Sequence, residues 1–416
     1  VITIDPTLTF AGETGYYVEI DATAFDDLSG NSYAGIADST TWNFTTEDIA
    51  PPVVSAYYPA DGASAVGIND SLVLTFNEPV TVQTDSIYIK RSSDNTTFEA
   101  IPVTDARVSG SGTAVITIDP TATFAGATGY YVEIDATAFD DLSGNGYAGI
   151  ADNSTWNFTT EDIADPVVFS FSPADNDTAV LVGTNLVVTF NEPVVPVLGD
   201  IRIRRFSDNV VFETIPVGDP KVTGSGTAAI TVNPGGTLEG ETEYYVEIDA
   251  TAFDDLSGNS YAGIADNTTW SFTTEDIANP LVSNYSPMDD SIAVGINQNL
   301  VLTFNEPVVA VSGDIRILQT SDDAVWETIA VTDVARVSGS GTATITIDPS
   351  GTFEGETGYY VQIDATGFDD LSGNSYAGIS SKTTWNFVTE DIAPPVVSSY
   401  SPADDAIDIG VNVSLV

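Results

Sequence analysis

Apolar and polar residues alternate along most of the chain, in short runs separated by turn residues. Leu72, Leu74 and Phe76 occupy every second position of one run. Ile116 and Ile118 do the same in another run. A period of two residues predicts β-strands with one buried face, and the clusters of Asp, Asn, Ser and Gly between the runs favour turns. Because no run keeps the apolar period of about 3.6 residues that marks a helix, we predict an all-β protein.

The strand pattern recurs along the chain with a nearly constant period. The tryptophan of a Thr-Thr-Trp or Ser-Thr-Trp motif occurs four times, with spacings of 114, 114 and 115 residues, at Trp42, Trp156, Trp270 and Trp385. This period exceeds the roughly 20–50 residues of a solenoid unit, so each repeat is expected to be a domain with its own core.

The repeats divide the chain into complete and incomplete domains. We predict the C-terminal part of a domain at 1–51, complete domains at 52–165, 166–279 and 280–394, and the N-terminal part of a further domain at 395–416. Because Val1 aligns with Val115 and Val416 aligns with Val73, the chain starts and stops inside domains. We therefore expect it to be a segment of a longer polypeptide.

Each complete repeat is predicted to be an Ig-like Greek-key β-sandwich. About seven strands in roughly 110 residues, with turns every 8–12 residues or so, is typical of that fold. A Gly-rich turn precedes Tyr130, which is where such sandwiches place a tyrosine corner, with the hydroxyl bonded back to the turn. Tyr16, Tyr244 and Tyr359 repeat this position. The alternative is that these tyrosines are ordinary core aromatics.

Several motifs in a fixed order resemble bacterial Ig-like domains of S-layer proteins and large cell-surface adhesins. In the first complete repeat these motifs read LVLTFNEPV, GYYVEIDATAFDDLSGN and TWNFTTE. The resemblance implies an Ig-like sandwich on a secreted or surface-bound protein, where it serves as a spacer, a stalk or an adhesive module. It implies no catalytic residue and names no ligand.

Composition excludes several classes of function. The chain has 10 Lys and Arg residues against 61 Asp and Glu residues, a formal charge of −51, so it cannot build the basic face that nucleic acids require. No run approaches the ~18 apolar residues of a membrane span. Cys and His are both absent, which removes thiolate metal sites and the commonest general base. Paired acids could suggest a glycosidase, but no insertion that could form a pocket breaks the near-identical copies, so we predict no enzyme.

Three acidic segments are predicted to meet at each junction between domains. If neighbouring strands alternate in direction, three segments lie at the same pole: the linker that enters a domain, the turn after its second strand and the loop after its sixth strand. The candidate ligands are Glu47, Asp48, Asn77, Glu78, Asp140, Asp141 and Asn145 at the first junction, Glu161, Asp162, Asn191, Glu192, Asp254, Asp255 and Asn259 at the second, and Glu275, Asp276, Asn305, Glu306, Asp369, Asp370 and Asn374 at the third.

A calcium ion would relieve the repulsion within each acidic cluster. That repulsion is about 1 kcal/mol per close pair in water and ~4 kcal/mol at an effective dielectric constant of about 20. Ca²⁺ takes about six to eight oxygen ligands and needs neither His nor Cys, and cadherin-type arrays are similar in binding calcium between domains. The same residues also form favourable turns and a solvated linker. A calcium site elsewhere in the domain, and no specific metal at all, therefore stay open as alternatives.

The sequence thus predicts a non-enzymatic, extracellular structural protein. It would be a rod or fibre of Ig-like domains that acts as the stalk or spacer of a bacterial surface adhesin or filament, with calcium stiffening its junctions. Its partners would be neighbouring domains of the same polypeptide, and lateral self-assembly is left open. The alternatives are an S-layer component or an array of carbohydrate- or protein-binding modules. Exposed aromatic residues would favour binding modules, but Tyr33, Tyr147, Tyr261 and Tyr376 each stand alone.

Overall fold

The computed structural model describes residues 1–416, and all its regular structure is β-strand, as predicted. No helix is long and apolar enough to cross a membrane. The incomplete first repeat contains only β1 (Gly15–Tyr17) and β2 (Asn43–Thr45), which pair with each other, and residues 395–416 contain no strand.

Each of the three complete repeats contains ten strands. The first contains β3 (Val54–Tyr58), β4 (Ala63–Val66), β5 (Leu72–Val82), β6 (Ser86–Arg91), β7 (Thr97–Pro102), β8 (Val108–Ser109), β9 (Thr113–Ile118), β10 (Gly129–Ile134), β11 (Phe139–Asp141) and β12 (Asn157–Thr160). The second contains β13 (Val168–Ser172), β14 (Asp177–Val180), β15 (Leu186–Pro196), β16 (Asp200–Arg205), β17 (Val211–Pro216), β18 (Val222–Thr223), β19 (Thr227–Val232), β20 (Glu243–Ile248), β21 (Phe253–Asp255) and β22 (Ser271–Thr274). The third contains β23 (Val282–Ser286), β24 (Ser291–Val294), β25 (Leu300–Ala310), β26 (Asp314–Gln319), β27 (Val325–Ala330), β28 (Val337–Ser338), β29 (Thr342–Ile347), β30 (Gly358–Ile363), β31 (Phe368–Asp370) and β32 (Asn386–Thr389).

The ten strands of the first complete domain form two sheets. One sheet has the order β4-β12-β10-β6-β7, in which only β4 and β12 run parallel. In the other, β8, β9 and β5 lie side by side, and the far edge of β5 pairs first with β3 and then with β11. The second and third domains repeat this arrangement. The predicted number of about seven strands is too low because the short strands β4, β8 and β11 add to it.

Each domain has its own core between its two sheets, built from the alternating apolar positions. In β5, Leu72 and Leu74 are fully buried, while Val73 between them is half-buried. Trp156 lies within this core, and its indole nitrogen donates a hydrogen bond to the carbonyl of Pro59 at 2.8 Å. The buried face of β10 stops at Ile134, the last residue of the strand, and Ala136 is exposed because the chain already turns there.

The Asn77-Glu78-Pro79 segment is part of a strand, which corrects the prediction of a turn. β5 runs through this segment without a break, and its pairing with β9 jumps from Thr75 opposite Val115 to Val80 opposite Thr113. The extra residues on β5 therefore form a β-bulge, which bends the strand and re-aims its side chains. Pro79 is tolerated because a bulge does not need every backbone N–H.

The tyrosine corner is confirmed in every repeat. The hydroxyl of Tyr130 accepts a hydrogen bond from the backbone N–H of Ala125, at 3.0 Å. Tyr16, Tyr244 and Tyr359 accept the equivalent bond, at 2.9–3.0 Å. The bond holds the turn of residues 125–129 against the start of β10, so it fixes where the following strand begins.

Replacing Tyr130 with Phe should destabilise the first complete domain. The substitution leaves the Ala125 N–H without its acceptor, and such a loss costs about 1–3 kcal/mol. We expect scanning calorimetry to show one of the three domain transitions moved to lower temperature. Tyr88→Phe is the matched control, because the half-buried Tyr88 makes no hydrogen bond through its hydroxyl. Equal melting temperatures of the two variants would contradict a structural role for the tyrosine corner.

Candidate functional site

Three carboxylates converge at each of the three junctions. At the first junction they belong to Asp48 in the linker, Glu78 in the bulge of β5 and Asp141 at the end of β11. One oxygen of each carboxylate lies within 4.8 Å of the other two. The second group is Asp162, Glu192 and Asp255, and the third is Asp276, Glu306 and Asp370. The three chain segments that were predicted to meet at one pole of each domain do meet there.

Strand pairing positions two of the three carboxylates. β11 pairs with the second half of β5, so that Asp141 lies opposite Val80, two residues from Glu78. Asp141 is 3% exposed, and its carboxylate accepts the backbone N–H groups of Ser143 and Asn145, each at 2.8 Å. This is the turn-stabilising role of aspartate. The bulge and the turn therefore hold Glu78 and Asp141 close together whether or not a cation is bound.

The linker carboxylate is held by local hydrogen bonds. Oδ1 of Asp48 accepts the N–H of Ala50 at 2.9 Å, and its backbone carbonyl accepts the side-chain amide of Asn145 at 3.2 Å. Oε1 of Glu78 accepts the side-chain amide of Asn77 at 3.2 Å. These bonds leave Oδ2 of Asp48 and Oε2 of Glu78 available to a cation.

The structure does not bring the remaining predicted acids into these groups. Side chains alternate along an extended chain, so the acid next to a clustered one faces elsewhere. Glu161 accepts the N–H of Ile68 in its own domain at 3.2 Å, and Asp254 accepts the hydroxyl of Ser260 at 2.7 Å. Oδ1 of Asp369 is buried without a partner. The acids outside the groups are Glu47, Glu161 and Glu275 in the linkers, and Asp140, Asp254 and Asp369 in the strands that precede the turns.

The six predicted asparagines lie beside the groups but act as hydrogen-bond donors to them. Asn145 donates its amide to Oδ2 of Asp141 at 2.7 Å, and Asn77 donates to Glu78 while its oxygen accepts the N–H of Val53. Asn191, Asn305, Asn259 and Asn374 make the corresponding bonds. These bonds position the carboxylates, and the role of the asparagine oxygens as ligands of a cation stays a prediction.

The two acids that each domain contributes have opposite pKa shifts. Burial raises the pKa of Glu78, and the nearby charges of Asp48, Asp141 and Glu13 raise it further. Burial also opposes ionisation of Asp141, but the hydrogen bonds from Asn145, Ser143 and Gly144 outweigh it and lower the pKa of Asp141. The pKa values of Glu192 and Glu306 are raised, and those of Asp255 and Asp370 are lowered. Burial and the neighbouring negative charges therefore act together against ionisation of the glutamate at each junction.

The preceding repeat adds a fourth charge at two of the junctions, which was not predicted from the sequence. Glu13 contributes to the raised pKa of Glu78, and Glu241 contributes in the same way to that of Glu306. At the middle junction the equivalent position is Ala127. Aligning the repeats shows this substitution, but only the fold shows that the position faces the junction.

Consecutive linker residues attach alternately to the two domains that they join. The carbonyl of Glu161 accepts the N–H of Ala127 in the preceding domain at 2.8 Å. The carbonyl of the next residue, Asp162, accepts the side-chain amide of Asn259 in the following domain at 3.2 Å. Ile163 then packs back on Gly126 of the preceding domain, where a Cβ would lie 2.6 Å from its Cγ1. No residue therefore separates the bond of Glu161 to the preceding domain from the contact of Asp162 with the following domain.

Almost every positive charge on the protein is already paired. Nine of the ten Lys and Arg side chains form ion pairs, and Arg91, the tenth, lies 5.8 Å above the ring of Phe98. No unpaired Lys or Arg side chain therefore lies at a junction to neutralise its three carboxylates.

The tyrosines considered as a possible sugar platform are buried in the complete domains. Tyr147, Tyr261 and Tyr376 are only 6–7% exposed. The ring of Tyr147 packs edge-on against Phe76, with centroids 5.2 Å apart, and burial raises the pKa of Tyr261 to about 12. These residues belong to the core and offer no surface for stacking a ligand.

Comparison with known proteins identifies the repeat. A family model described as bacterial Ig-like domain matches residues 48–160, 162–274 and 276–389. These matches start four residues before the predicted starts of the domains, at the linker aspartate that contacts the following domain. No curated protein sequence matches the chain.

Solved structures that match the chain do so at low scores. A titin I-band fragment, I67–I69, has a TM-score of 0.29 and 10% identity, and covers 83% of this chain and 100% of its own. Extracellular domains 3–5 of Drosophila OTK have a TM-score of 0.21 and 10% identity, with 82% and 97% coverage. The S-layer protein rSbsC(31–844) has a TM-score of 0.19 and 13% identity, with 84% and 56% coverage. At these scores the three structures carry no argument about function.

The family model matches well over half of the chain, with one match in each complete repeat. The matched ranges coincide with the three complete all-β domains, and they contain the motifs that first suggested the resemblance. The chain therefore belongs to the bacterial Ig-like domain family.

Proposed function

We propose that this chain is a non-enzymatic, extracellular spacer whose domain junctions bind calcium and are stiffened by it. The single observation that supports the proposal best is the recurrence, at all three junctions, of one linker carboxylate beside two carboxylates of the following domain. Turn hydrogen bonds account for Asp141 at the end of β11 and for one oxygen of the linker Asp48, but they do not explain why the bulge glutamate lies beside both each time.

Calcium suits the donors at each junction. The carboxylates are hard oxygen ligands, and Ca²⁺ accepts an irregular set that water molecules complete. Burial and the repulsion of nearby carboxylates raise the pKa of Glu78, and a cation there removes the repulsion. Because Asp48 belongs to the linker, and its neighbours are attached to the preceding repeat, a bound ion restrains the orientation of one domain relative to the next.

A role as a spacer agrees with the rest of the molecule. Near-identical domains in tandem provide length, and the formal charge of −51 keeps such chains apart in solution. Family membership supports a location at a bacterial cell surface. The competing proposal is a carbohydrate-binding array. It is weakened because Tyr147, Tyr261 and Tyr376, which could have stacked on a sugar, are buried in the complete domains.

Calcium titration should detect three sites, one at each junction, and Glu192→Gln should remove one of them. Glu192 is one of the three carboxylates at the second junction, and its one hydrogen bond, from Asn191, survives the substitution. In calorimetric titration of the full chain we expect the stoichiometry to fall by one site. Asp254→Asn is the matched control, because this acid lies next to the clustered Asp255 but bonds Ser260.

Calcium binding should also change the stability and the shape of the chain. Ligand at a hundredfold excess over Kd stabilises the folded state by about 2.7 kcal/mol, so calcium should raise the melting temperature. It should also increase the maximum dimension measured by small-angle scattering. If calcium changes neither quantity and no heat of binding is detected, the carboxylates are only solvated turns and the calcium proposal is wrong.

Acid should reverse the effect of calcium on stability. The folded-state pKa of Glu78, Glu192 and Glu306 lies above the ordinary value of 4.5, so their ionisation destabilises the folded state, and this penalty disappears as the pH falls through the raised pKa. In chelator, melting temperature should therefore rise slightly from neutral pH towards that range. In calcium it should fall, because protons compete with the ion. If the melting temperature changes with pH in the same way in both buffers, these glutamates are not ligands.

The packing of Ile163 on Gly126 should restrict the second junction even without calcium. Gly126→Ala places a methyl group 2.6 Å from Cγ1 of Ile163 and 3.3 Å from the carbonyl oxygen of Glu161, so the linker must move. We expect scattering in chelator to show a more flexible chain, with the three domain cores unchanged in near-ultraviolet circular dichroism. Gly183→Ala is the control, because a Cβ there meets no atom within 4 Å. Identical scattering curves for both variants would show that this contact does not orient the domains.

A further inference from the structure

The first complete domain differs from the other repeats at the turn that carries its junction aspartate. The turn reads Asp141-Leu-Ser-Gly-Asn145-Gly146, whereas the residue after the asparagine is Ser32, Ser260 or Ser375 in the other copies. Asn145-Gly146 is the one Asn-Gly pair in the chain. A glycine that follows asparagine has no side chain to hinder attack by its own backbone nitrogen on the asparagine side chain.

The backbone at this turn leaves the nitrogen of Gly146 unbonded. The N–H of Asp141 donates to the carbonyl of Asn145, and the N–H of Tyr147 donates to the carbonyl of Phe139. Between these two bonds, Gly146 lies opposite Asp140, and these two residues exchange no backbone hydrogen bond. Gly146 is also exposed to solvent. In the second domain the corresponding Ser260 is held by its hydroxyl to Asp254 at 2.7 Å, a bond that glycine cannot make.

We propose that Asn145 is a site of spontaneous deamidation that alters the first junction alone. The backbone nitrogen of Gly146 attacks Cγ of Asn145 and forms a new C–N bond. The bond from Cγ to Nδ2 breaks, and ammonia leaves with the proton from the glycine nitrogen. Water then opens the resulting succinimide at either carbonyl. Opening at Cγ gives aspartate, and opening at the main-chain carbonyl gives isoaspartate, with no oxidant or reductant required.

The reaction changes the contact that joins the linker to the domain. The amide nitrogen that leaves is the donor to the Asp48 carbonyl at 3.2 Å and to Oδ2 of Asp141 at 2.7 Å. An oxygen in its place has no proton to donate at neutral pH, so both bonds are lost. It also sets a new carboxylate against that of Asp141, and like charges at such a distance repel.

The same two hydrogen bonds govern the rate of the reaction. While they hold the amide, Cγ is kept in one orientation, so attack by Gly146 requires local opening of the turn. Deamidation at Asn145 therefore records how often this turn opens. The proposal does not depend on calcium, because it rests only on the turn and its contacts with the linker.

The test is to age the full chain in warm, mildly alkaline buffer with chelator and to map its peptides by mass spectrometry. We expect aspartate and isoaspartate to accumulate several-fold faster at Asn145 than at Asn31, Asn259 or Asn374. Gly146→Ser should lower the rate at Asn145 to that of the other copies. Ser260→Gly should raise the rate at Asn259 to that of Asn145. Both substitutions install a residue that another repeat already has, so both variants should fold.

Two results would overturn the proposal. Equal rates at the four asparagines, or no slowing by Gly146→Ser, would show that the Asn-Gly pair is not the reactive site. Hydrogen exchange of residues 47–53 tests the effect on the junction, and we expect faster exchange in aged wild-type protein than in the aged Gly146→Ser variant. If the two exchange equally despite deamidation of the wild type, the modification does not reach the junction.

Discussion

The pairing of β11 with the second half of β5 determines the chemistry of each junction. β5 pairs with β3 over its first half and with β11 over its second, and the bulge between the two halves carries Glu78. Without the bulge, a straight strand would keep the strict alternation of its side chains. With it, one strand contributes Leu72 and Leu74 to the core and then a glutamate to the junction. The carboxylate of Asp141, at the end of β11, lies beside that glutamate because the same pairing fixes its register.

Much of this architecture could be predicted from the sequence, because it depends on local patterns that the repeats display several times. Alternation predicted the buried positions of β5, and a glycine-rich turn before Tyr130 predicted the tyrosine corner. The convergence of three acidic segments followed from strand direction alone. The choice between Asp140 and Asp141 was also within reach, since Phe139 is buried and Asp141 lies on its side of the strand.

Other features could not be predicted, because they depend on contacts between distant segments. Nothing local distinguishes Asn77-Glu78-Pro79 in a bulge from the same triplet in a turn, since the difference lies in which strands pair on either side. The direction in which Asn145 presents its amide depends on Asp141 and on a carbonyl of the linker. Ile163 packs on Gly126 only because the linker runs back along the preceding domain.

The alternating attachment of the linker limits how an array of this kind can change in length. In an extended segment, adding or deleting one residue turns every later side chain to the opposite face, so Asp162 would no longer point at Glu192 and Asp255. Loops away from the junction carry no such restriction. The single extra residue of the third domain lies between β27 and β28, where Val334 is 89% exposed. An array built in this way therefore becomes longer or shorter by whole domains, while its junctions keep one fixed length.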